Sequence, residues 1–278
     1  MRDSMMDGLL TMDALLRREA PLACAERGLW SQAAPENSVP ALEAAMEAGC
    51  EMAGFDLRLS REGDLVAFRD PDLSRMTAAR GPVAGMATAS LTRLPLRGGR
   101  GGGAGLSRSY LPLATELLAA ADGRCLLVFT LPALDALPAV LARLAACGAA
   151  GRAVLRAGFA DPAGVQAFAA AVSAAGLGAM PRLRLGPPEA DGAVLAALLA
   201  ARPAMAEVPG APAARIAALA GPLAAAGIPV MAGAPGNGPE DGAACEAGWA
   251  ALCEAGVRAV ATSQADAFLR WRAGRVAA

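Results

Sequence analysis

"RCLLVFTLPALDALPAVLARLAACGAAGRAVLRAG" (residues 124–158) sets two short apolar runs on either side of an Ala/Leu-rich stretch. The runs have strand length, and the stretch between them, from about Pro132 to Cys147, has the composition of a helix. Two strands joined through a helix make a parallel crossover unit. The same alternation continues outward. Upstream, "PLACAE" precedes the helical "SVPALEAAMEAG", and "AGFDLRLS" leads into the hairpin-like "EGDLVAFRD". Downstream, a helix begins near Asp161, and "AMPRLRL", "AMAEVPG", "IPVMAG" and "VRAVAT" each precede a helix candidate. That makes eight strand-plus-helix units in about 250 residues, which predicts an α/β fold of the closed (β/α)8 TIM-barrel kind. An open doubly wound sheet is the alternative, but a GxGxxG fingerprint after the first strand, which would favour it, is absent.

The ends and the one biased segment fit a single barrel. Residues 20–278 read as one domain, and residues 1–19 as an amphipathic extension with Leu9, Leu10, Met12, Leu15 and Leu16 largely on one side. Packing over the lower mouth of the barrel is the expected role of that extension, with a partner or membrane-surface contact as the other. "GGRGGGAG" (98–105) lacks the Gly-Lys-Ser/Thr ending of a phosphate-binding loop, so a flexible connection is expected.

Composition excludes several functions. The longest uncharged stretch, 216–239, is broken by Pro222, Pro229 and Pro235, so no membrane span is predicted. The first residues carry Asp3, Asp7 and Asp13 and no apolar core with a cleavage site, which predicts a cytoplasmic protein. The six cysteines form no CxxC pair and mostly fall in apolar runs, so free buried thiols are expected. A net charge of −1 with 4% aromatics supplies neither the field nor the stacking surface for nucleic acid. The chain contains no histidine and no lysine, so all 25 cationic side chains are arginines. No side chain therefore has an unperturbed pKa near neutrality.

Three stretches carry a resemblance: "AERGLWSQAAPENSVPALEAAMEAG" (25–49), "GFDLRLSREGDLVAFRDPDLSRMT" (54–77) and "AGVRAVATSQADAF" (255–268). Together they resemble the glycerophosphodiester phosphodiesterase family, whose fold is a TIM barrel of the phospholipase-C-like phosphodiesterase type. Arg27-Gly28 and Pro35-Glu36-Asn37 match its opening motif, but Glu26 stands where the first histidine of the family is. Asp56 and Asp70 match the next motif, while Gly54 replaces a metal-binding glutamate and Arg69 the second histidine. The Glu-x-Lys of the third strand aligns with Phe129 and Leu131, and the tryptophan motif of the seventh strand becomes Met231.

The resemblance implies a phosphoric diester hydrolase of lipid metabolism, and the departures remove its chemistry. Such a reaction needs one group to accept a proton and another to donate one. Arg69 cannot act as a base at physiological pH, whereas Glu26 could if burial raised its pKa. Asp56 alone is a poor metal site, so no cofactor is expected; Mg²⁺ or Ca²⁺ enters only if the site has been rebuilt from Glu26, Glu36, Asp56 and Asp70. Three readings of the rim stay open. In the first the carboxylates close it as salt bridges with arginines; in the second they rebuild a metal site; in the third Arg27 and Arg69, with Glu36 and Asn37 beside them and Arg156 and Arg184 near other strand ends, bind an anion. The expected protein is a pseudoenzyme that binds a phosphorylated small molecule or a protein partner. The alternatives are an active metal-dependent phosphodiesterase with Glu26 and Arg69 at the catalytic positions, and a structural subunit of an assembly. Trp30, Trp249, Met180 and Met205 are expected to be packing residues.

Overall fold

The computed structural model describes residues 12–16, 18, 20–233 and 242–276. Its strands are β1 (Leu22–Glu26), β2 (Met52–Leu59), β3 (Leu65–Ala67), β4 (Pro95–Arg97), β5 (Leu106–Tyr110), β6 (Leu126–Thr130), β7 (Ala153–Phe159), β8 (Gly178–Leu183), β9 (Ala206–Glu207), β10 (Val230–Gly233) and β11 (Ala259–Thr262). The helices are α1 (Met12–Leu16), α2 (Val39–Glu47), α3 (Thr88–Leu91), α4 (Ala114–Ala121), α5 (Leu137–Ala146), α6 (Val165–Ala174), α7 (Asp191–Ala201), α8 (Ala213–Ala225), α9 (Gly242–Glu254) and α10 (Ala265–Val276). Strands β1, β2 and β6 to β11 are parallel, and pairing of β1 with both β11 and β2 closes them into an eight-stranded barrel. The predicted (β/α)8 TIM barrel is the observed fold.

Alternation along the strands separates two cores. One parity, including Leu22, Cys24, Met52, Leu126, Val128, Val154, Met180, Met205 and Met231, fills the barrel interior. The other, including Ala23, Ala25, Ala53, Phe55, Leu127 and Phe129, packs outward under the helices. Alanines on the outer face leave room for Ala-rich helices to lie close. The four methionines fill the interior as flexible, unbranched chains, as expected for Met180 and Met205. Trp249 packs edge-on to Phe268 at 5.5 Å in the outer layer. Helix α8 continues through Pro222 near its end. Among the described residues no helix is long and apolar enough to cross a membrane, and all six cysteines are free.

The lower end of the barrel is closed by the chain's beginning. Leu15 is fully buried in the interior cluster, with Met12 packed against it. Leu9 and Leu10 lie outside the described residues. Between β2 and α4 the chain departs from the repeat. β3 pairs antiparallel with β2, as the hairpin signal predicted, and β4 and β5 form a separate two-stranded ribbon. That excursion has its own small core around Phe68, Leu73, Met76 and Leu96.

Candidate functional site

A cavity of about 670 Å³ opens at the C-terminal ends of the strands, lined by Glu26, Glu36, Asp56, Asp70 and Glu207 and by Arg27, Arg69, Arg75, Arg100, Arg156 and Arg182. Five carboxylates thus face six guanidiniums in one space. What each charge touches decides what the cavity can do.

The barrel axis holds the first network. Arg156, on β7, is 2% exposed. Its Nη1 and Nη2 donate to the two carboxylate oxygens of Glu26 at 2.6 and 3.0 Å, and Nη1 also donates to Glu207 at 3.1 Å. Nε and Nη2 reach the Thr130 hydroxyl at 3.1 and 2.9 Å. Arg182 pairs with the other Glu207 oxygen at 3.1 Å and keeps 43% of its side chain exposed. Burial pushes the Glu26 carboxyl up, but the charge and hydrogen bonds of Arg156, helped by Arg182 and Arg27, outweigh it and hold the group at about 2. Burial pushes Glu207 upward against the same Arg156 charge, with Glu26 adding to the rise.

The second network builds the rim. Glu36, nearly fully buried, accepts from Arg27 and from Arg75, each at 2.6 Å, and Arg75 also donates to Asp70 at 2.5 Å. The loop that carries Glu36 is tightly seated. Arg27 and Gly28 both have positive φ, and a Cβ on Gly28 would lie 2.7 Å from Ala41 atoms of α2. Only glycine fits this close approach. Asn37 donates its N–H to the Arg27 carbonyl, accepts the Asp56 N–H at 2.9 Å, and offers its Nδ2 to an Asp56 oxygen at 3.4 Å.

These placements correct several expectations. Asn37 was expected to bind ligand, but it is 2% exposed and spent on the backbone and Asp56, so it positions that residue from behind. Glu36 lines the cavity, yet both its oxygens are taken by guanidiniums, so it orders arginines. Glu26 was a candidate acid-base group if burial raised its pKa; the shift runs the other way. Arg184 is exposed beyond the end of β8 in a separate groove with Leu185 and Arg215, and Arg182 is the arginine that faces the cavity. Phe129 points outward, because Gly54 and Asp56 pair with Val128 and Thr130, which are the inward residues of β6. Trp30 lines the cavity, and its indole Nε1 is buried with no hydrogen-bond partner.

The glycine-rich segment is also more than a tether. Gly98 and Gly105, and Ala104 and Gly98, are joined by backbone hydrogen bonds, and Gly99 donates to the Ser31 carbonyl at 3.0 Å. A Cβ on Gly98 would fall 2.0 Å from the Gln32 carbonyl oxygen. The segment is fitted against the β1–α2 loop and delivers Arg100 to the cavity wall.

Two guanidiniums remain uncommitted. Among the described residues neither Arg69, at the second histidine position, nor Arg100 has a side-chain partner, although the Arg69 carbonyl accepts from Arg58 at 2.5 and 3.0 Å. Arg75, Arg100, Arg182 and Glu207 were not singled out from the sequence. The available signal was a lone charge near the end of an apolar strand, as in "AMAEV" and "MPRL".

A divalent ion does not fit these residues. Asp56 is the only inward carboxylate of β2, Val128 and Thr130 offer no acid on β6, and the Arg156 Nη2 lies 3.6 Å from where a Cβ of residue 54 would be. Among the described residues no group of three or more Asp, Glu or Cys side chains is arranged to hold a metal.

Comparison with known proteins places the mouth-building part of the chain. Residues 27–143 match the model of the glycerophosphoryl diester phosphodiesterase family. The resemblance read from the motifs is therefore borne out, over the loops and strands that carry Arg27, Glu36, Asp56, Arg69 and Asp70. Solved structures extend the likeness in fold to nearly the whole chain. A glycerophosphoryl diester phosphodiesterase from Parabacteroides distasonis superposes with a TM-score of 0.78 at 16% identity, over 95% of this chain and 92% of that one. A phosphodiesterase from Oleispira antarctica, solved with the product sn-glycerol-3-phosphate, gives 0.69 at 18% identity over 92% and 97%. A glycerophosphodiester phosphodiesterase from Agrobacterium tumefaciens gives 0.67 at 19% identity over 90% and 99%. Among curated protein sequences none matches this chain.

Proposed function

We propose that this glycerophosphodiester-phosphodiesterase-like barrel binds a phosphorylated small molecule at its upper mouth and does not turn it over. The observation that carries the reading is the unequal commitment of the charges. Glu26, Glu36 and Glu207 each end on guanidiniums, while Arg69 and Arg100 end on nothing within the described residues. Guanidinium groups bind phosphate through paired N–H donors, and a cavity wall with free ones attracts an anion.

Turnover would need proton transfer, worth about 10²- to 10⁴-fold for each group that performs it. Glu26 is ionised throughout the physiological range, so it has no proton to give, and its lone pairs are engaged by Arg156. Arg69 stays protonated, so it has no lone pair to take one. The residues around Asp56 do not suit a metal that could generate a nucleophile in their place.

The test is thermal unfolding with inorganic phosphate and with glycerol 3-phosphate, the molecule held by the Oleispira antarctica structure. The melting temperature should rise with either anion in the wild type and stay unchanged in Arg69→Ala and Arg100→Ala. In parallel, glycerophosphodiesters with Mg²⁺ or Ca²⁺ should remain intact. Hydrolysis by the wild type that disappears in Asp56→Ala would overturn the reading.

A further inference from the structure

We infer that Arg156 is a resident cation of the barrel, taking both the space and the charge that a divalent ion would need, and that Gly54 is its structural complement. This goes beyond the anion-binding reading and does not depend on it. It concerns what occupies the barrel axis, whichever molecule enters the mouth.

Three observations converge. First, all three guanidinium nitrogens are engaged, on Glu26, Glu207 and Thr130, which come from three different strands around the axis. A single cation thus draws together the oxygen donors of β1, β6 and β9, the role a bound ion performs in a closed site. Second, Gly54 leaves the space that this requires. A Cβ there would already be in contact with the pair, 3.4 Å from a Glu26 oxygen and 3.6 Å from Arg156 Nη2, so a glutamate at this position would compete with it for the same space. Third, the paired charges balance: Glu26 and Glu207 face Arg156 and Arg182, two negative charges against two positive. That leaves Asp56 as the one carboxylate of this space without a guanidinium partner among the described residues, too few to hold a divalent ion. A guanidinium is charged at every physiological pH and cannot dissociate. The electrostatics of the mouth are therefore fixed in the chain and indifferent to metal supply or chelators.

The experiment measures Mn²⁺ binding by the electron paramagnetic resonance of the free ion, together with melting temperature. Wild-type protein should show no saturable Mn²⁺ binding, and neither Mn²⁺ nor EDTA should move its melting temperature. Gly54→Glu alone should lower the melting temperature, because the new side chain collides with the pair. In Gly54→Glu/Arg156→Ala, the carboxylates of residues 26, 54, 56 and 207 face a vacated space. That protein should bind one Mn²⁺ and melt roughly 5–10 °C higher at about a hundredfold excess over Kd. Arg156→Lys keeps the charge and should exclude Mn²⁺ as the wild type does, at a lower melting temperature. Saturable wild-type binding lost in Asp56→Asn, binding by Arg156→Lys, or a folded double variant that ignores Mn²⁺ would each overturn the inference. The wild-type and Arg156→Lys measurements decide the matter if the double variant does not fold. Loss of phosphate binding would bear on the proposed function alone.

Discussion

The two ends of this barrel use the same chemistry to different ends. At the lower end Glu51, 3% exposed, accepts from the Ala23 N–H at 2.8 Å and pairs with Arg18 and Arg272 at 3.0 Å each. Arg272 also donates to the Pro21 carbonyl, and Arg258 to the carbonyls of Ala20 and Leu15. There the guanidiniums end on the backbone or on Glu51 and tie α1, β1 and α10 together beneath a plug of Leu15. The upper end is as rich in ion pairs, but they surround a cavity and leave Arg69 and Arg100 unpaired among the described residues. Arginine–glutamate pairs alone therefore do not mark a site. The mark is a charge in a concave wall that the fold does not consume.

Breaking the buried network at the upper end should have the largest effect on stability. Arg156→Met removes the guanidinium hydrogen-bonded to both Glu26 and Glu207, leaving Glu207 buried with Arg182 alone and Glu26 without its partner. Urea unfolding should show a loss of about 3–5 kcal/mol. Adding Glu26→Gln and Glu207→Gln should recover most of it, because a buried ion pair gains little over neutral groups of similar shape. An unrecovered loss would mean that the pairs supply net stability, and the contrast between the two ends would then need a different basis.

The next effect is a pH dependence whose buried part sits at the upper end. Glu26 titrates at about 2 in the folded protein against 4.5 unfolded. A depressed carboxylate contributes stability that is full above its unfolded value and is lost as pH falls through 4.5 toward 2. At about 1.4 kcal/mol per unit this amounts to at most about 3.5 kcal/mol. Glu207, pushed upward, works in the opposite direction, so within the upper network the acid limb belongs to Glu26, while the exposed Glu62 and Asp72, held low by hydrogen bonds from Thr88 and Ser74, add to it outside the cavity. Glu26→Gln should flatten that limb in chemical denaturation measured from pH 5 to 2. An unchanged limb would place the acid sensitivity elsewhere.

The lower end gives the control. Glu51→Ala leaves the Ala23 N–H and Arg272 without their carboxylate and should cost about 2 kcal/mol. The phosphate-induced rise in melting temperature should persist. Loss of that rise would show that the two ends are coupled and that the staple also shapes the mouth.

The difference between the ends was only partly visible in the sequence, and the reason is geometric. The barrel was legible because eight alternations of apolar run and helix leave few architectures to choose from. The first eighty residues were legible because Arg27-Gly28, Pro35-Glu36-Asn37 and Asp56 recur at family spacing. Facing was not. "LLVFT" is apolar at four of its five positions, so nothing in it sets which parity points inward, and Phe129 was placed inside where Val128 and Thr130 belong. In "MPRLRL" the strand ends at Leu183, between two arginines, and this makes Arg182 a wall residue and Arg184 a surface one. Arg156 lies 130 residues from Glu26, and Arg75, one of the two partners of Glu36, lies 39 residues away, across distances that local pattern does not register. The fitted glycines of 98–105 looked like a tether because close backbone approach leaves no side chain to read.

The smallest effect on stability should come from the residues that matter most to the proposed function. Arg69 and Arg100 have no side-chain partner among the described residues, so Arg69→Ala and Arg100→Ala should each change unfolding free energy by less than about 0.5 kcal/mol. If the two guanidiniums contact one anion, the double variant should bind phosphate no more weakly than the weaker single variant, because one missing contact already releases the ligand. If they contact separate groups, the two losses should add. Isothermal titration of phosphate and glycerol 3-phosphate against the four proteins separates these outcomes. Either pattern preserves the contrast with Glu51, where stability falls and binding does not. Unchanged affinity in all four would remove the functional half of the comparison and leave two ends that differ only in how completely their charges are paired.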